Sequence, residues 1–104
     1  MGPPGMKRGI RLRPEVEAEL EAAIDWYEAC APGLGSDFMR AVEASLASIE
    51  RNPEYYQVVF DTARRALLRR FPYALIYSIE PDAIVIAACL HTRQNPERWQ
   101  RQNG

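Results

Sequence analysis

The chain has 104 residues, which is enough for one domain and leaves no room for a second. Apolar residues make up 47% and aromatic residues 10%, so the composition predicts a packed globule and argues against disorder. The net charge is −1, no apolar run approaches the roughly 20 residues of a membrane span, and no apolar signal segment is present. We therefore expect a soluble cytoplasmic protein without membrane contact.

The N-terminal residues are rich in glycine and proline. We expect residues 1–9 to form a flexible tail, with either Met1 or Met6 as the natural start. Ile10 to Arg13 can form a short strand. Pro14 then suits the first position of a helix, where its missing N–H costs nothing.

Two helices are predicted from apolar residues spaced three and four apart. The first runs from Pro14 to about Cys30, and residues 31–35, Ala-Pro-Gly-Leu-Gly, interrupt the pattern. The second helix is predicted to end at Asn52, because Pro53 disfavours helical backbone angles at the residue before it. A connector this short predicts an antiparallel helical hairpin.

After Tyr56 the apolar period changes to two, which predicts strands at residues 63–70, 73–79 and 83–91. The last strand is apolar on both faces, so we expect it to be central and covered. A short helix is expected from Pro96. The sequence therefore predicts one α+β domain over residues 10–104, a helical hairpin packed on one face of a mainly antiparallel sheet.

Cysteine, histidine and charge restrict the chemistry. Cys30 and Cys89 are far apart in sequence, so we expect two free, buried thiols, and we expect neither a metal nor another cofactor. Residues 1–60 carry 6 basic and 10 acidic side chains, whereas residues 61–104 carry 7 basic and 4 acidic ones. Arginine suits phosphates and carboxylates, so the C-terminal part is where an anionic partner would bind. The alternative is that these arginines form a solvated face.

Five segments of the chain resemble the RelE/ParE toxin superfamily, in the expected order from about Ile10 to Trp99. They are residues 19–28, 32–38, 49–56, 64–73 and 90–96. The resemblance implies a curved sheet with helices on one side and a type II toxin encoded beside an antitoxin that blocks it. It also implies that operator DNA is bound only through the antitoxin.

Two activities divide this superfamily: ribosome-dependent cleavage of mRNA, and the binding of DNA gyrase by ParE-like proteins that cut nothing. Cleavage at a 2′-hydroxyl needs a base, an acid and cations on the phosphate. By position, Arg65 and Arg93 match cations of the nuclease branch. Leu67 and Ala74 stand where it has two more, and Trp99 stands where it has a tyrosine. Leucine and alanine stabilise no charge, and indole has no proton to give. This set therefore lacks most of the groups that RNA cleavage requires.

A second ribonuclease design in the superfamily ends in a histidine–tyrosine pair, but here Thr92 follows His91. His91 can titrate near neutrality, or it can end the strand and hydrogen-bond the turn through Arg93. The catalytic candidates for a nuclease are therefore Arg65, His91 and Arg93. The resemblance favours the gyrase-binding branch, with a ribosome-dependent nuclease or an inactive antitoxin-binding relative as alternatives.

A surface that binds the target or the antitoxin is expected among arginines and aromatic residues. Only one of Trp26 and Tyr27 can face the sheet, so the other can mark a groove for a partner. Strand alternation predicts that Arg64 and Arg70 lie on one face of the sheet. It places Arg65 and Arg69 on the other face, so these arginines would not form one patch. The candidates are Arg64, Arg65, Arg69, Arg70, Arg93, Trp26, Tyr27 and Trp99.

Overall fold

The structure, a computed structural model, describes residues 8–93. Within them two helices pack on one face of a five-stranded mixed sheet, which confirms the predicted α+β fold. The elements are β1 (Gly9–Leu12), α1 (Pro14–Cys30), α2 (Leu34–Arg51), β2 (Gln57–Phe60), β3 (Ala63–Leu67), β4 (Tyr73–Ile79) and β5 (Ala83–His91). None of the helices in this part of the chain is long and apolar enough to span a membrane. Residues 1–7 of the predicted tail and the predicted helix from Pro96 lie outside the described residues. Gly9, the last residue of that tail, belongs to β1.

The helical hairpin forms as predicted, and its short connector is held by one side chain. The carboxylate of Glu28, near the end of α1, accepts hydrogen bonds from the backbone N–H groups of Gly33 and Gly35 at 3.0 Å each. Gly33 has a φ of +87°, which favours glycine. A Cβ on Gly35 would lie 2.8 Å from the carbonyl oxygen of Ile24, so this glycine lets α2 start directly against α1.

The strand order is β1-β5-β4-β3-β2, with β1 parallel to β5 and the other pairs antiparallel. The prediction that β5 is the central strand is wrong, because β4 holds that place. β5 is nevertheless internal, between β1 and β4, which accounts for its apolar character on both faces. Its partner β1 comes from the other end of the chain, so no local pattern indicates this neighbour.

Two further corrections concern the edge of the sheet. β2 was not predicted, because three of its four residues are exposed and the strand shows no apolar alternation. β3 was predicted to reach Arg70 but ends at Leu67. The N–H of Leu68 donates to the carbonyl of Tyr73 and Arg70 takes a φ of +72°, so the turn begins three residues earlier than expected.

The two faces of the sheet carry separate apolar clusters. The face that packs against the helices, here called the helix face, contains Leu75, Tyr77 and Ile86 together with Phe38 of α2. The opposite face, here called the outer face, carries a smaller buried cluster with no helical residue: Ala63, Ile76, Ala88 and Leu90. This division assigns each strand residue to a face. It therefore decides which candidate functional residues can meet.

Candidate functional site

A groove runs along α2, beside the end of β3 and the turn that follows it. This α2 groove encloses about 670 Å³. Its lining consists of Asp37, Arg40, Ala41, Ala44, Ser45, Ser48, Arg51, Tyr56, Leu67, Arg69 and Arg70. Arg69 and Arg70 thus line the same groove. The prediction that they belong to opposite strand faces is wrong, because both follow the end of β3 and strand alternation does not apply to them.

Among residues 8–93, Asp37 is the only acid in the lining of the α2 groove, and it bridges the two sides. Its carboxylate lies 2.8 Å from Nη1 of Arg40, one helical turn later, and 3.8 Å from Nη2 of Arg70. The guanidinium of Arg70 also lies 5.6 Å from the ring centre of Phe71. These charges are largely exposed, so each pair stabilises the fold by no more than about 1 kcal/mol. The groove keeps an excess of positive charge.

Arg64 has a structural role. It is half-buried on the helix face, and its Nη1 donates to the carbonyl oxygens of Glu54 and Tyr56 at 3.0 and 2.6 Å. Charge-assisted bonds to backbone carbonyls are stronger than neutral ones. Arg64 therefore holds the loop that leads into β2.

The nuclease candidates are not brought together on one face. Arg65 is exposed and pairs in register with Ile76, a member of the outer-face cluster. His91 pairs with Tyr73, and the two rings meet edge to face at 5.2 Å on the helix face. The exposed side chain of Leu67 stands opposite the buried Ala74. Arg65 and His91 thus project from opposite faces of the sheet.

His91 bonds to the turn that follows β5. The backbone N–H of Arg93 donates to Nδ1 of His91 at 3.1 Å, which confirms that His91 hydrogen-bonds the turn through Arg93. Nδ1 of His91 is the acceptor in this bond. Arg93 itself is exposed.

The aromatic pair on α1 divides as predicted. Tyr27 is 9% exposed and packs against Phe38 and Phe71, with ring centres 5.2 and 4.9 Å apart. Burial raises the pKa of Tyr27 above its ordinary value of 10. Trp26 is 62% exposed and touches Tyr27 edge to face. Trp26 is therefore the member available to a partner; Trp99 lies outside the described residues.

The two thiols lie in different environments. Both are free, and Cys89 is buried as expected; desolvation raises its pKa to about 12, so it stays protonated at neutral pH. The prediction that Cys30 is buried is wrong. α1 ends at Cys30, beyond Tyr27, the last residue of its buried stripe, and the thiol is exposed. Across residues 8–93 no group of three or more His, Cys, Asp or Glu side chains is arranged to hold a metal ion.

Comparison with known proteins decides the family. Residues 10–96 match the family described as ParE toxin of type II toxin-antitoxin system, parDE. The chain belongs to this ParE toxin family.

Relatives in sequence agree with this membership, and a solved structure shares the fold. Two proteins named Toxin ParE2, from Mycobacterium tuberculosis strains CDC 1551 / Oshkosh and ATCC 25618 / H37Rv, are each 30% identical to the chain over 92 residues. These alignments cover 88% of the chain and 88% of each relative. A solved structure described as "Chromosomal ParDE TA system from P. aeruginosa" superposes with a TM-score of 0.72 at 14% identity. It covers 81% of this chain and 95% of that one, and the likeness shows a common fold.

Two arginines of this ParE-type toxin were not singled out from the sequence. Arg40 and Arg51 line the α2 groove on the same stripe of α2 as Ala44 and Ser48. Their separation of eleven residues is three helical turns, which is the signal that a search for charged stripes would find. The wall opposite them depends on the turn after β3, which begins three residues earlier than the sequence indicated.

Proposed function

We propose that this ParE-type toxin arrests growth by binding DNA gyrase in the cytoplasm, and that a cognate antitoxin encoded beside it neutralises it. Gyrase is the target that the resemblance to ParE-like proteins implies. In this proposal the toxin cuts nothing, and it reaches operator DNA only through the antitoxin.

The observation that carries the proposal is the placement of Arg65 and His91 on opposite faces of the sheet. Groups that cleave RNA must reach one phosphate together, each within hydrogen-bond distance of a reacting atom. His91 lies three residues further along and two strands across from Arg65, which puts their Cα atoms about 14 Å apart by ordinary strand spacing. This arrangement supports a toxin that acts by binding.

A binding toxin needs exposed anchors. The residues proposed for contact with the target or the antitoxin are the exposed Trp26, Arg65, Arg69, Arg70 and Arg93, together with Trp99, which lies outside the described residues. Exposed tryptophan and arginine are the types that most often dominate protein interfaces. Arg64 and Tyr27 are assigned a structural role instead. The guanidinium of Arg64 bonds to backbone carbonyls, and the ring of Tyr27 packs against Phe38.

The decisive experiment induces the toxin in bacteria without an antitoxin and follows growth, DNA-damage signalling and mRNA ends together. Purified gyrase is assayed for DNA supercoiling with the purified toxin. Growth arrest with damaged DNA, inhibited gyrase and intact mRNA is the expected result. Codon-phased mRNA cuts would overturn the proposal and make Arg65, His91 and Arg93 catalytic suspects.

The antitoxin part of the proposal is tested by co-expressing the toxin with the product of the adjacent gene. We expect restored growth and a complex that survives size-exclusion chromatography. Arrest that persists in the presence of that product, with no complex formed, would contradict this part alone. Absence of arrest by soluble toxin would leave an inactive relative.

A further inference from the structure

The exposed side of α1 carries an uncharged row of residues that includes a largely exposed tryptophan. Residues four apart on a helix are surface neighbours, about 6 Å apart along the axis. Trp26 is 62% exposed, and its ring meets Tyr27 edge to face with ring centres 5.0 Å apart. Tryptophan is among the residue types that most often dominate protein interfaces. The row, here called the Trp26 row, consists of the exposed residues Pro14, Ala18, Ala22, Trp26 and Cys30.

Acidic side chains border the Trp26 row on both sides. α1 contains six acidic residues and no basic one. Glu17, Glu21 and Asp25 form the next row on one side, again four residues apart, and Glu15 and Glu19 lie on the other side. In the part of the chain that the structure describes, the three acids of the first of these rows form no ion pair. Like charges at this spacing repel each other, so the face of α1 carries an uncompensated negative charge.

The fold accounts for only some of these acids. Glu15 and Glu17 lie in the first turn of α1, where the helix dipole favours negative charge. Glu19 accepts a hydrogen bond from the backbone of β5. Glu21 and Asp25 lie beyond the first turn, are exposed, and make no hydrogen bond or ion pair from their side chains within residues 8–93. Their position beside an exposed tryptophan favours a role in binding over a role in folding.

We propose that this face of α1 is the docking surface for a basic protein surface, which under the proposed function belongs to DNA gyrase. Lysine or arginine side chains of the partner pair with Glu17, Glu21 and Asp25, and an apolar recess of the partner covers Trp26. Pairing relieves the repulsion along the acidic row, and burial of the indole removes apolar area from water. Proteins that hold DNA expose cationic surfaces, so this chemistry fits the proposed target.

Charge argues against other occupants of this face. A second copy of α1 would bring the same acids together, and the phosphates of a nucleic acid or of an anionic membrane would be repelled. A purely apolar partner would cover Trp26 but would desolvate the neighbouring carboxylates without pairing them. The face is also separate from the α2 groove, because no residue of α1 is among the described residues that line that groove.

The probe for the test is a fluorescein-labelled helical peptide of lysine, leucine and alanine, as long as the 17 residues of α1. Its binding to the full-length toxin is followed by fluorescence anisotropy. The charge variant Glu17→Gln/Glu21→Gln/Asp25→Asn should bind at least about tenfold more weakly than wild type. The matched control removes three exposed acids outside α1 and should stay within about twofold: Glu43→Gln/Glu54→Gln/Asp61→Asn.

The apolar part of the surface is tested through Trp26. Trp26→Ala should weaken peptide binding about tenfold, whereas Tyr55→Ala, at an aromatic side chain that is 81% exposed outside α1, should change it less than about twofold. Trp99→Phe leaves Trp26 as the only tryptophan of the chain. In that variant an unlabelled peptide should shift the Trp26 emission to shorter wavelength, because the indole leaves water. The same variants are then compared for binding to purified gyrase, where we expect the same ranking.

Three results would overturn the inference: no binding of the peptide by wild type, equal binding by the charge variant, or binding that leaves the Trp26 emission unchanged. Thermal unfolding checks that the variants are folded. If Trp26→Ala does not fold, Ala22→Arg places a cation in the same row and should weaken peptide binding as strongly. Growth arrest by wild type tests the proposed function separately. Arrest without peptide binding contradicts only this inference, and peptide binding at Trp26 without arrest contradicts only the proposed toxicity.

Discussion

The Oε1 atom of Glu19 lies 3.0 Å from the backbone nitrogen of Cys89, so a side chain of α1 accepts a hydrogen bond from a strand. β1 pairs with β5 only as far as Ile86, and Cys89 lies beyond that point. Glu19 therefore binds the part of β5 that β1 does not reach. Desolvation of the carboxylate, followed by the nearby charge of Glu15, raises its pKa, while the bond to Cys89 opposes the shift.

Glu19→Gln is expected to change how stability depends on pH. The folded pKa lies above the ordinary 4.5, so the unfolded chain ionises first and wild type loses stability as the pH rises from about 4.5 through the folded value. Glutamine keeps an oxygen for the N–H of Cys89 and removes this loss. Relative to wild type, the variant should therefore gain stability between about pH 4 and pH 7, by less than about 1 kcal/mol because solvent screens this half-exposed group.

Urea unfolding of the Glu19→Gln variant across that pH range measures the effect. Glu21→Gln, at an exposed position of the same helix, is the control and should follow the wild-type pH profile. A constant difference between Glu19→Gln and wild type at every pH would contradict the assigned pKa.

Gly35→Ala is expected to destabilise the helical hairpin. The added Cβ would lie 2.8 Å from the carbonyl oxygen of Ile24 and 3.0 Å from Oε1 of Glu28, so α2 must move away from α1. Overpacking of this kind typically costs about 1–3 kcal/mol. Chemical denaturation gives the value. Gly9→Ala is the matched control, since its Cβ would meet nothing within 4 Å, and an equal loss in both variants would refute the steric explanation.

Tyr77→Phe isolates one buried hydrogen bond. The hydroxyl of Tyr77 donates to the carbonyl oxygen of Pro53 at 2.5 Å, linking β4 to the residues just after α2. The ring is fully buried, and phenylalanine keeps its packing but leaves that carbonyl without this donor. We expect a loss of about 0.5–1.5 kcal/mol in the free energy of unfolding. Tyr55→Phe, at a side chain that is 81% exposed, should lose almost nothing; a loss equal to that of Tyr77→Phe would rule out the buried bond as the cause.

The helices were predictable because their signals are local. Pro14 starts α1, Pro53 limits α2, and the apolar spacing identifies the buried stripes. The placement of β5 was not predictable from its own residues, because its neighbour β1 is set by a contact between the two ends of the fold. β2 stayed hidden because an exposed edge strand has no apolar alternation.

The candidate site was predictable only where its contacts are local in sequence. The bond between Arg93 and His91 is local and was anticipated. Arg69 and Arg70 lie beside α2 because the backbone at Arg70 is left-handed. Glycine or asparagine usually marks such a position, and neither stands here, so the sequence does not indicate the turn. A tertiary groove built from such a turn appears only in the folded chain.

His91→Gln is expected to leave toxicity nearly unchanged, while Arg93→Ala weakens it. In a toxin that acts by binding, the proton of His91 takes part in no reaction. Loss of a general acid or base from a nuclease would instead reduce cleavage about 10²–10⁴-fold. Growth after induction of equal protein amounts provides the readout. Arg11→Ala is the control for Arg93→Ala, and survival of cells that express His91→Gln would count against the proposed mechanism.

The parallel pairing of β1 with β5 joins the first described strand to the last, with Gly9 opposite Ala83. A ribosome synthesises β1 long before its partner exists. The growing chain can form its helical hairpin early, because those contacts are local, but it must wait for the final strand to complete the sheet. The sheet is therefore completed only after β5 has been synthesised, and chains that stop before β5 never present the complete surface.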